Sequence, residues 1–135
     1  MIAEELALYL EAKNHGTKNV NLFLNFQPDS PDNCITVYDT SAPAIDESNA
    51  FSVDQFGIQI IVRNIASDEA RNKIMNIHKS LAGFGGEKFI KDGVMVHALF
   101  ITSSPSSIGI DEKGRSEWSV HYRLRVASGE NLFRF

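Results

Sequence analysis

Histidine and cysteine are the side chains most suited to metal binding or catalysis, and this chain has four histidines and one cysteine. They are His15, His78, His97, His121 and Cys34. No two of them lie at the short spacing that places two ligands on one metal ion. His78 would lie near the end of a helix, where its charge suits the helix dipole, and His97 and His121 alternate with apolar strand residues. The pattern predicts structural histidines, with no metal, cofactor or catalytic residue.

Carboxylates could act in pairs as general acid and general base. The candidates lie in turn-rich sequence and are Asp29, Asp32, Asp39, Asp46 and Glu47. No apolar surroundings that would raise a carboxyl pKa are visible near them, so we expect solvated loop residues. The glycine-rich stretch 83–86 follows a helix and lacks the Lys-Ser/Thr pair of a phosphate loop, so it is typical of a helix end.

The composition is typical of one folded domain spanning residues 1–135, with 43% hydrophobic and 22% charged residues. A formal charge of −4 gives no general attraction to phosphate or anionic lipid, so we expect neither nonspecific nucleic-acid binding nor membrane binding. No export signal is visible, and the apolar stretches 58–62 and 94–101 are far shorter than the roughly 20 residues of a membrane-spanning helix. With a lone cysteine, these features predict a soluble cytoplasmic protein.

Apolar residues at steps of three and four predict two helices. The first spans residues 2–14 and is expected to end at Gly16. The second spans residues 67–82, with Ser67 as its N-cap. Its apolar face is formed by Ala70, Ile74, Ile77 and Leu81.

Alternating and β-branched residues predict five strands. These lie near residues 20–26, 34–38, 55–63, 94–103 and 117–127. The Pro- and Asp-rich segment between the first two indicates a hairpin, and residues 39–53 are expected to form a mobile acidic loop. The resulting fold class is α+β, an antiparallel β-sheet with an N-terminal helix and a central helix packed on it.

Two segments carry more apolar residues than one sheet face needs. Residues 94–101 are apolar at nearly every position, which indicates a strand that is covered on both faces or buried against another subunit. The C-terminal tail adds Leu132, Phe133 and Phe135. The alternative is that both segments belong to the core of a single molecule, and for the strand the sequence leaves the two possibilities equally open.

The most specific stretch is SSPSSIGIDEKGRSEWSVHYRLRV at 103–126, a polar, glycine-containing loop that leads into an amphipathic strand. Its characteristic points are Pro105, the Ile108-Gly109 pair, the turn Asp111-Glu112-Lys113-Gly114-Arg115 and the aromatic-led strand that follows. Together with the strand, arginine, helix and glycine-rich turn of residues 58–86, it resembles the tail terminator proteins of long-tailed bacteriophages, also described as minor capsid proteins. With the opening helix, the similarity covers most of the chain, while residues 39–53 match nothing in the family.

The resemblance implies a non-enzymatic virion protein that caps the growing tail tube as a ring, usually of six subunits. Such a ring stops polymerisation at the right length and offers a surface for head attachment. The implied partners are other copies of the chain, the tail tube protein and the head–tail connector proteins, while DNA passes through the ring without specific binding. The implied location is the host cytoplasm during assembly and then the virion, at the neck end of the tail.

Resemblance and composition together direct attention to residues 104–117, which we expect to form an exposed loop that contacts a neighbouring subunit or the tail tube. The candidate interface residues are Asp111, Glu112, Lys113, Arg115, Phe133 and Phe135. Arg115 has the fork geometry that binds a partner's carboxylate through two hydrogen bonds, and as an exposed residue it would contribute at most about 1 kcal/mol to folding. The alternative is a set of interchangeable, solvated turn charges.

Other functions stay open at this point. Another neck component, such as a head completion or stopper protein, or the tail tube protein itself would share these features. A protein of a different class, a small ligand-binding or enzymatic α+β domain, could assemble its site from residues distant in sequence. The mass in solution separates the classes, because a stable ring favours the terminator and a monomer with a deep polar pocket favours the ligand binder.

Overall fold

The computed structural model describes residues 2–40, 53–82 and 94–128, and two helices pack there on one face of a five-stranded mixed sheet. The elements are α1 (Ile2–Ala12), β1 (Leu22–Leu24), β2 (Cys34–Thr40), β3 (Val53–Asn64), α2 (Ser67–Ala82), β4 (Val94–Ile110) and β5 (Ser116–Ser128). The predicted α+β class is confirmed. The glycine-rich stretch 83–86, most of the expected acidic loop and the C-terminal tail lie outside the described residues.

The sheet has the strand order β1-β2-β3-β5-β4, so β1 and β4 are its edges. β3 pairs antiparallel with β5 along its whole length, from Val53 opposite Ala127 to Asn64 opposite Ser116. Because side chains alternate along a strand, this pairing assigns every residue of both strands to one of two faces. One face carries the helices, and we call the other the open face.

The predicted apolar face of α2 is confirmed, because all four of its residues are fully buried. They pack with Leu6 and Leu10 of α1 in one apolar cluster beneath the helices. The sheet contributes Val37, Ile58, Ile60, Val62, Val120, Tyr122 and Leu124 to the same cluster. Alternate residues such as Gln59 and Ser119 point to the open face, where the Gln59 amide donates to the Ser119 hydroxyl at 3.0 Å.

The helix ends differ slightly from the predicted ones. α1 ends before Gly16, because Asn14 adopts a left-handed φ of 64° and donates its N–H to the Glu11 carbonyl, while His15 donates to the Leu10 carbonyl. This pair of bonds is a Schellman motif, with Asn14 in the position usually held by glycine. At the start of α2, the Ala66 carbonyl accepts the first helical bond, so the cap position lies one residue before Ser67.

The predicted hairpin between the first two strands is wrong, because β1 runs parallel to β2. Asn25 has a left-handed φ of 56°, and its side-chain oxygen accepts the N–H of Asp39 at 2.8 Å. The chain therefore leaves β1 alongside the second half of β2. It then uses residues 25–33 to travel back to the start of β2, which a turn-rich composition alone does not distinguish from a hairpin.

The expected exposed loop at 104–117 is mostly strand. β4 continues to Ile110 and β5 begins at Ser116, so the connecting turn contains only residues 111–115. Four register shifts accommodate the serine-rich sequence of β4, one of them at Gly109, whose φ is 117°. Bulges of this kind keep a strand paired where its sequence does not favour regular pairing. The expectation of exposure holds for residues 104, 106–110 and 112–114, while the expected loop is limited to residues 111–115.

Ile77 tests the helix-to-sheet packing. Replacing Ile77 with Asp would place a carboxylate without a partner in the core, so we expect a loss of more than about 4 kcal/mol in the free energy of unfolding, measured by urea denaturation. The matched control is Asn76→Asp, at an exposed position of the same helix, which should change stability by no more than about 0.5 kcal/mol. Equal stability of the two variants would contradict the assigned helix face.

Candidate interaction site at the end of the sheet

The turn between β4 and β5 is organised by Asp111. Its side-chain Oδ1 accepts the backbone N–H groups of Lys113 and Arg115, each at 2.9 Å. The backbone closes around it, since Gly114 donates to the Asp111 carbonyl at 3.0 Å and has a φ of 79° that favours glycine. The shape of the turn is therefore fixed by its own hydrogen bonds.

Arg115 is the centre of a charged cluster, with its side chain only 6% exposed. Its Nε donates to Asp111 Oδ2 at 2.8 Å, and Nη1 donates to the Asp29 carbonyl at 2.6 Å and to Asp32 Oδ1 at 3.2 Å. Nη2 donates to Asp29 Oδ1 at 3.1 Å. Arg115 is therefore not the exposed arginine that the sequence predicts. Because its fork is occupied by carboxylates of its own chain, removing it would cost stability.

A second arginine holds the same segment from the open face of the sheet. Arg63, at the end of β3, is almost fully buried and donates from Nη2 to the Pro28 and Pro31 carbonyls, each at 2.7 Å. Its Nε donates to the Asp32 carbonyl at 3.0 Å. We call residues 25–33 the strap, because two arginines fasten them over this end of the sheet.

The strap has a further anchor on β5. The Gln27 amide donates to Glu117 Oε2 at 2.7 Å, and Glu117 lies opposite Arg63 in the β3–β5 register. Glu117 thus adds a negative charge beside a buried guanidinium. Such burial is tolerated because the guanidinium has carbonyl acceptors and a nearby carboxylate.

The cations of the cluster keep its carboxyl groups ionised. Hydrogen bonds from Lys113 and then from Arg115 lower the pKa of Asp29 below its ordinary value of 3.8. The pKa of Asp111 is lowered as well, chiefly by the backbone N–H of Arg115. Both groups are therefore fully charged at neutral pH and accept hydrogen bonds from the cations.

Four of the predicted interface residues come together in this turn, and the structure gives them different surroundings. Asp111 and Arg115 are engaged within the cluster, Lys113 pairs with Asp29, and Glu112 is exposed. Phe133 and Phe135 lie outside the described residues. Sequence reasoning missed Arg63, although a signal exists: an arginine interrupts the apolar run at the end of a buried strand.

The predicted loop carboxylates are partly solvated, as expected, but they are not free. Asp29 and Asp32 are 65% and 54% exposed, yet both bind Arg115. Asp39 is also engaged, since its carboxylate accepts the Asn25 amide at 3.0 Å. Asp46 and Glu47 lie outside the described residues. The turn-rich composition did not indicate these contacts, because Arg115 is distant in sequence from Asp29 and Asp32.

Two histidines take structural roles beneath the helices. The His15 Nε2 and the Ser80 hydroxyl lie 2.7 Å apart, and burial lowers the pKa of His15. His78 joins α2 to β5 through its Nδ1, which lies 2.7 Å from the Tyr122 hydroxyl. Burial in turn raises the pKa of Tyr122. Within residues 2–40, 53–82 and 94–128, no group of three or more His, Cys, Asp or Glu side chains is arranged to hold a metal ion.

A comparison with known protein families adds a decisive observation. Residues 9–127 match the model of a family described as bacteriophage tail terminator protein. The chain belongs to the bacteriophage tail terminator family. Members of this family are structural components of the virion and not enzymes. The match includes the end of α1, all of α2, β1 to β4 and all but the last residue of β5, together with the strap and the charged turn.

Solved structures agree with this fold. A chain in the virion of a native gene transfer agent particle superimposes with a TM-score of 0.53 at 14% identity, over 79% of this chain and 78% of that one. A second solved chain gives a TM-score of 0.50 at 12% identity, with 93% and 89% of the two chains covered. No curated protein matches the chain. In its described part, the chain contains no helix with the length and apolarity to cross a membrane.

Removing the Arg63 side chain tests how firmly the strap is held. In Arg63→Ala, three carbonyl groups of the strap lose their charged donor, so we expect a loss of about 3 kcal/mol in unfolding free energy. The control is Arg71→Ala, an exposed arginine of α2, which should stay within about 0.5 kcal/mol of wild type. Equal urea midpoints for the two variants would show that the strap does not depend on Arg63.

Acid unfolding tests the carboxylates of the cluster. Because the pKa values of Asp29 and Asp111 are lowered by folding, their contribution is present above pH 3.8 and is lost as the pH falls through the folded-state values. Asp111→Asn should be less stable at neutral pH and should lose less stability on acidification, as measured by urea midpoints between about pH 7 and about pH 2. Glu112→Gln should keep the wild-type acid dependence. If the urea midpoint of Asp111→Asn fell with pH as steeply as that of the wild type, the assigned contribution of Asp111 to acid-dependent stability would be contradicted.

Proposed function

We propose that this protein forms a ring that caps the end of the tail tube, ends tail polymerisation and provides the surface to which the head joins. The observation that carries the proposal is the family match over residues 9–127, which includes nearly all of the described fold. Six is the proposed number of subunits. The likeness to a virion protein of a gene transfer agent supports the fold.

The surface properties are compatible with such a ring. A ring subunit needs two different patches that fit each other, and the described part of the chain exposes several large apolar side chains. A net charge of −4 suits a ring through which DNA must slide, since phosphate is not held tightly by an acidic protein. The tail tube protein and the head–tail connector proteins are the other proposed partners. Assembly would occur in the host cytoplasm, and the ring would lie at the neck of the finished virion.

The candidate interface residues divide into two groups in this proposal. Glu112 and Lys113 are exposed and are suited to touch a neighbouring subunit or the tail tube. Asp111 and Arg115 hold the turn and the strap in one arrangement, so they would act by positioning these exposed residues. Phe133 and Phe135 remain proposed contacts from the C-terminal tail. The whole chain, residues 1–135, is proposed to act as one domain.

Cavity size gives little support to a ligand-binding function. A cavity of about 160 Å³ lies at the Arg115 cluster, and one of about 70 Å³ lies beside Lys73 and Cys34. Sites for small molecules usually have volumes of roughly 300 to 1,000 Å³. These two cavities of the described residues are small for a ligand site, and they favour protein–protein contact over ligand binding. A head completion protein, a stopper protein or the tail tube protein is the remaining alternative within the virion.

Loss of the protein tests its proposed role directly. A phage with the coding sequence interrupted should assemble tails of irregular, excessive length that carry no heads, because nothing stops the tube or forms the joint. Electron micrographs of lysates give tail lengths, and wild-type protein supplied from a plasmid is the control. Tails of normal length without heads would instead indicate a stopper or head completion protein, and an absence of tails would indicate the tube protein.

A further inference from the structure

A small cavity lies between α2 and the end of the sheet that carries the strap. Its volume is about 70 Å³, which is below the size of a site for an organic ligand but well above the roughly 15 Å³ that one water molecule needs. The polar side chains of its wall include those of three asparagines, a lysine and an arginine. The cavity therefore has the size and the polar lining to hold a small inorganic ion.

The wall of the cavity carries positive charge and no carboxylate. Lys73 of α2 and Arg63 at the end of β3 both line it, and no Asp or Glu does. Neither cation takes part in an ion pair with another described residue. The neighbouring cluster differs, since Lys113 and Arg115 are paired there with carboxylates. Cations withdrawn from water are stabilised by a counterion, and the described chain supplies none at this wall.

Three asparagines add hydrogen-bond donors to the same wall. The side-chain oxygens of Asn21, Asn33 and Asn64 accept backbone N–H groups at 2.7, 2.9 and 2.9 Å. These bonds fix which end of each amide is the oxygen, and they use the amide as an acceptor. Each Nδ2 group keeps two N–H donors that have no partner among the described residues. The wall is consequently rich in unused donors.

Lys73 is held at the wall by one of its three donors. Its Nζ donates to the His15 carbonyl at 3.1 Å, which leaves two N–H groups. Burial and the charge of Lys73 lower the pKa of His15, so the imidazole is neutral at neutral pH and adds no further charge. Lys73 therefore contributes a positive charge and free donors to the cavity.

We propose that this cavity binds a tetrahedral oxyanion of the class of inorganic phosphate. The donors belong to four separate segments: Asn21 before β1, Asn33 at the end of the strap, Asn64 at the end of β3, and Lys73 on α2. An ion with four oxygen atoms can accept from several segments at once, whereas a planar carboxylate offers only two. A bound ion would join α2 to the strap. The site lies within one chain, so it does not depend on the proposed ring.

Calorimetric titration of the full chain with phosphate tests the site. The wild type should bind one phosphate ion per chain, and Lys73→Gln should bind it at least about tenfold more weakly, because a hydrogen bond between charged groups is lost. Lys79→Gln removes the same charge from an exposed position of α2 and should keep the wild-type affinity. Binding is measured directly, since phosphate also stabilises proteins in general by its exclusion from their surface.

Asn64→Asp tests the wall in a second way. The new carboxylate keeps an oxygen for the backbone N–H of Ala66, so the variant should fold, and its negative charge should abolish phosphate binding. Asn76→Asp makes the same change at an exposed position of α2 and should bind phosphate like the wild type.

Titrations with acetate and chloride at matched ionic strength identify the class of ligand. Phosphate should bind more tightly than either ion. The proposal would be overturned by a wild type that shows no saturable phosphate binding, by acetate or chloride binding as tightly as phosphate, or by wild-type affinity in Lys73→Gln and Asn64→Asp. An equal loss of affinity in Lys79→Gln would overturn it too, because phosphate would then be attracted by surface charge and not by the cavity.

Discussion

The pairing of β3 with β5 is the constraint on which the remaining structure depends. Twelve residues of β3 face twelve of β5, so a shift by one position would exchange the two faces of both strands. In the observed register, Ile58, Ile60 and Val62 lie under the helices, and Arg63 points to the open face. The core and the arginine that holds the strap therefore follow from the same pairing.

Two arginines with little exposed surface connect parts of the chain that are distant in sequence. A guanidinium removed from water needs acceptors for its N–H groups, and the strap supplies carbonyl groups to Arg63 and carboxylates to Arg115. The strap in turn gains a fixed path across the end of the sheet. The cluster is consequently held in one arrangement by contacts within the chain.

In the described residues, the helices cover one face of the sheet, and the short β1 and the long β4 form its two edges. Register shifts and Pro105 interrupt the backbone pattern of β4, which hinders the addition of another strand at that edge.

Local pattern was sufficient for the helices, most of the strands and the family resemblance. The spacing of Ile74, Ile77 and Leu81 specifies a buried helix face whatever lies beneath it, because a helix repeats every 3.6 residues. Two features could be determined only from the tertiary structure: the direction of β1 relative to β2, and the partners of the charged side chains. Turn-rich sequence does not determine whether β1 and β2 are parallel, and nothing local indicates that Arg115 binds Asp29, 86 residues away. Such contacts depend on where the sheet brings distant residues together.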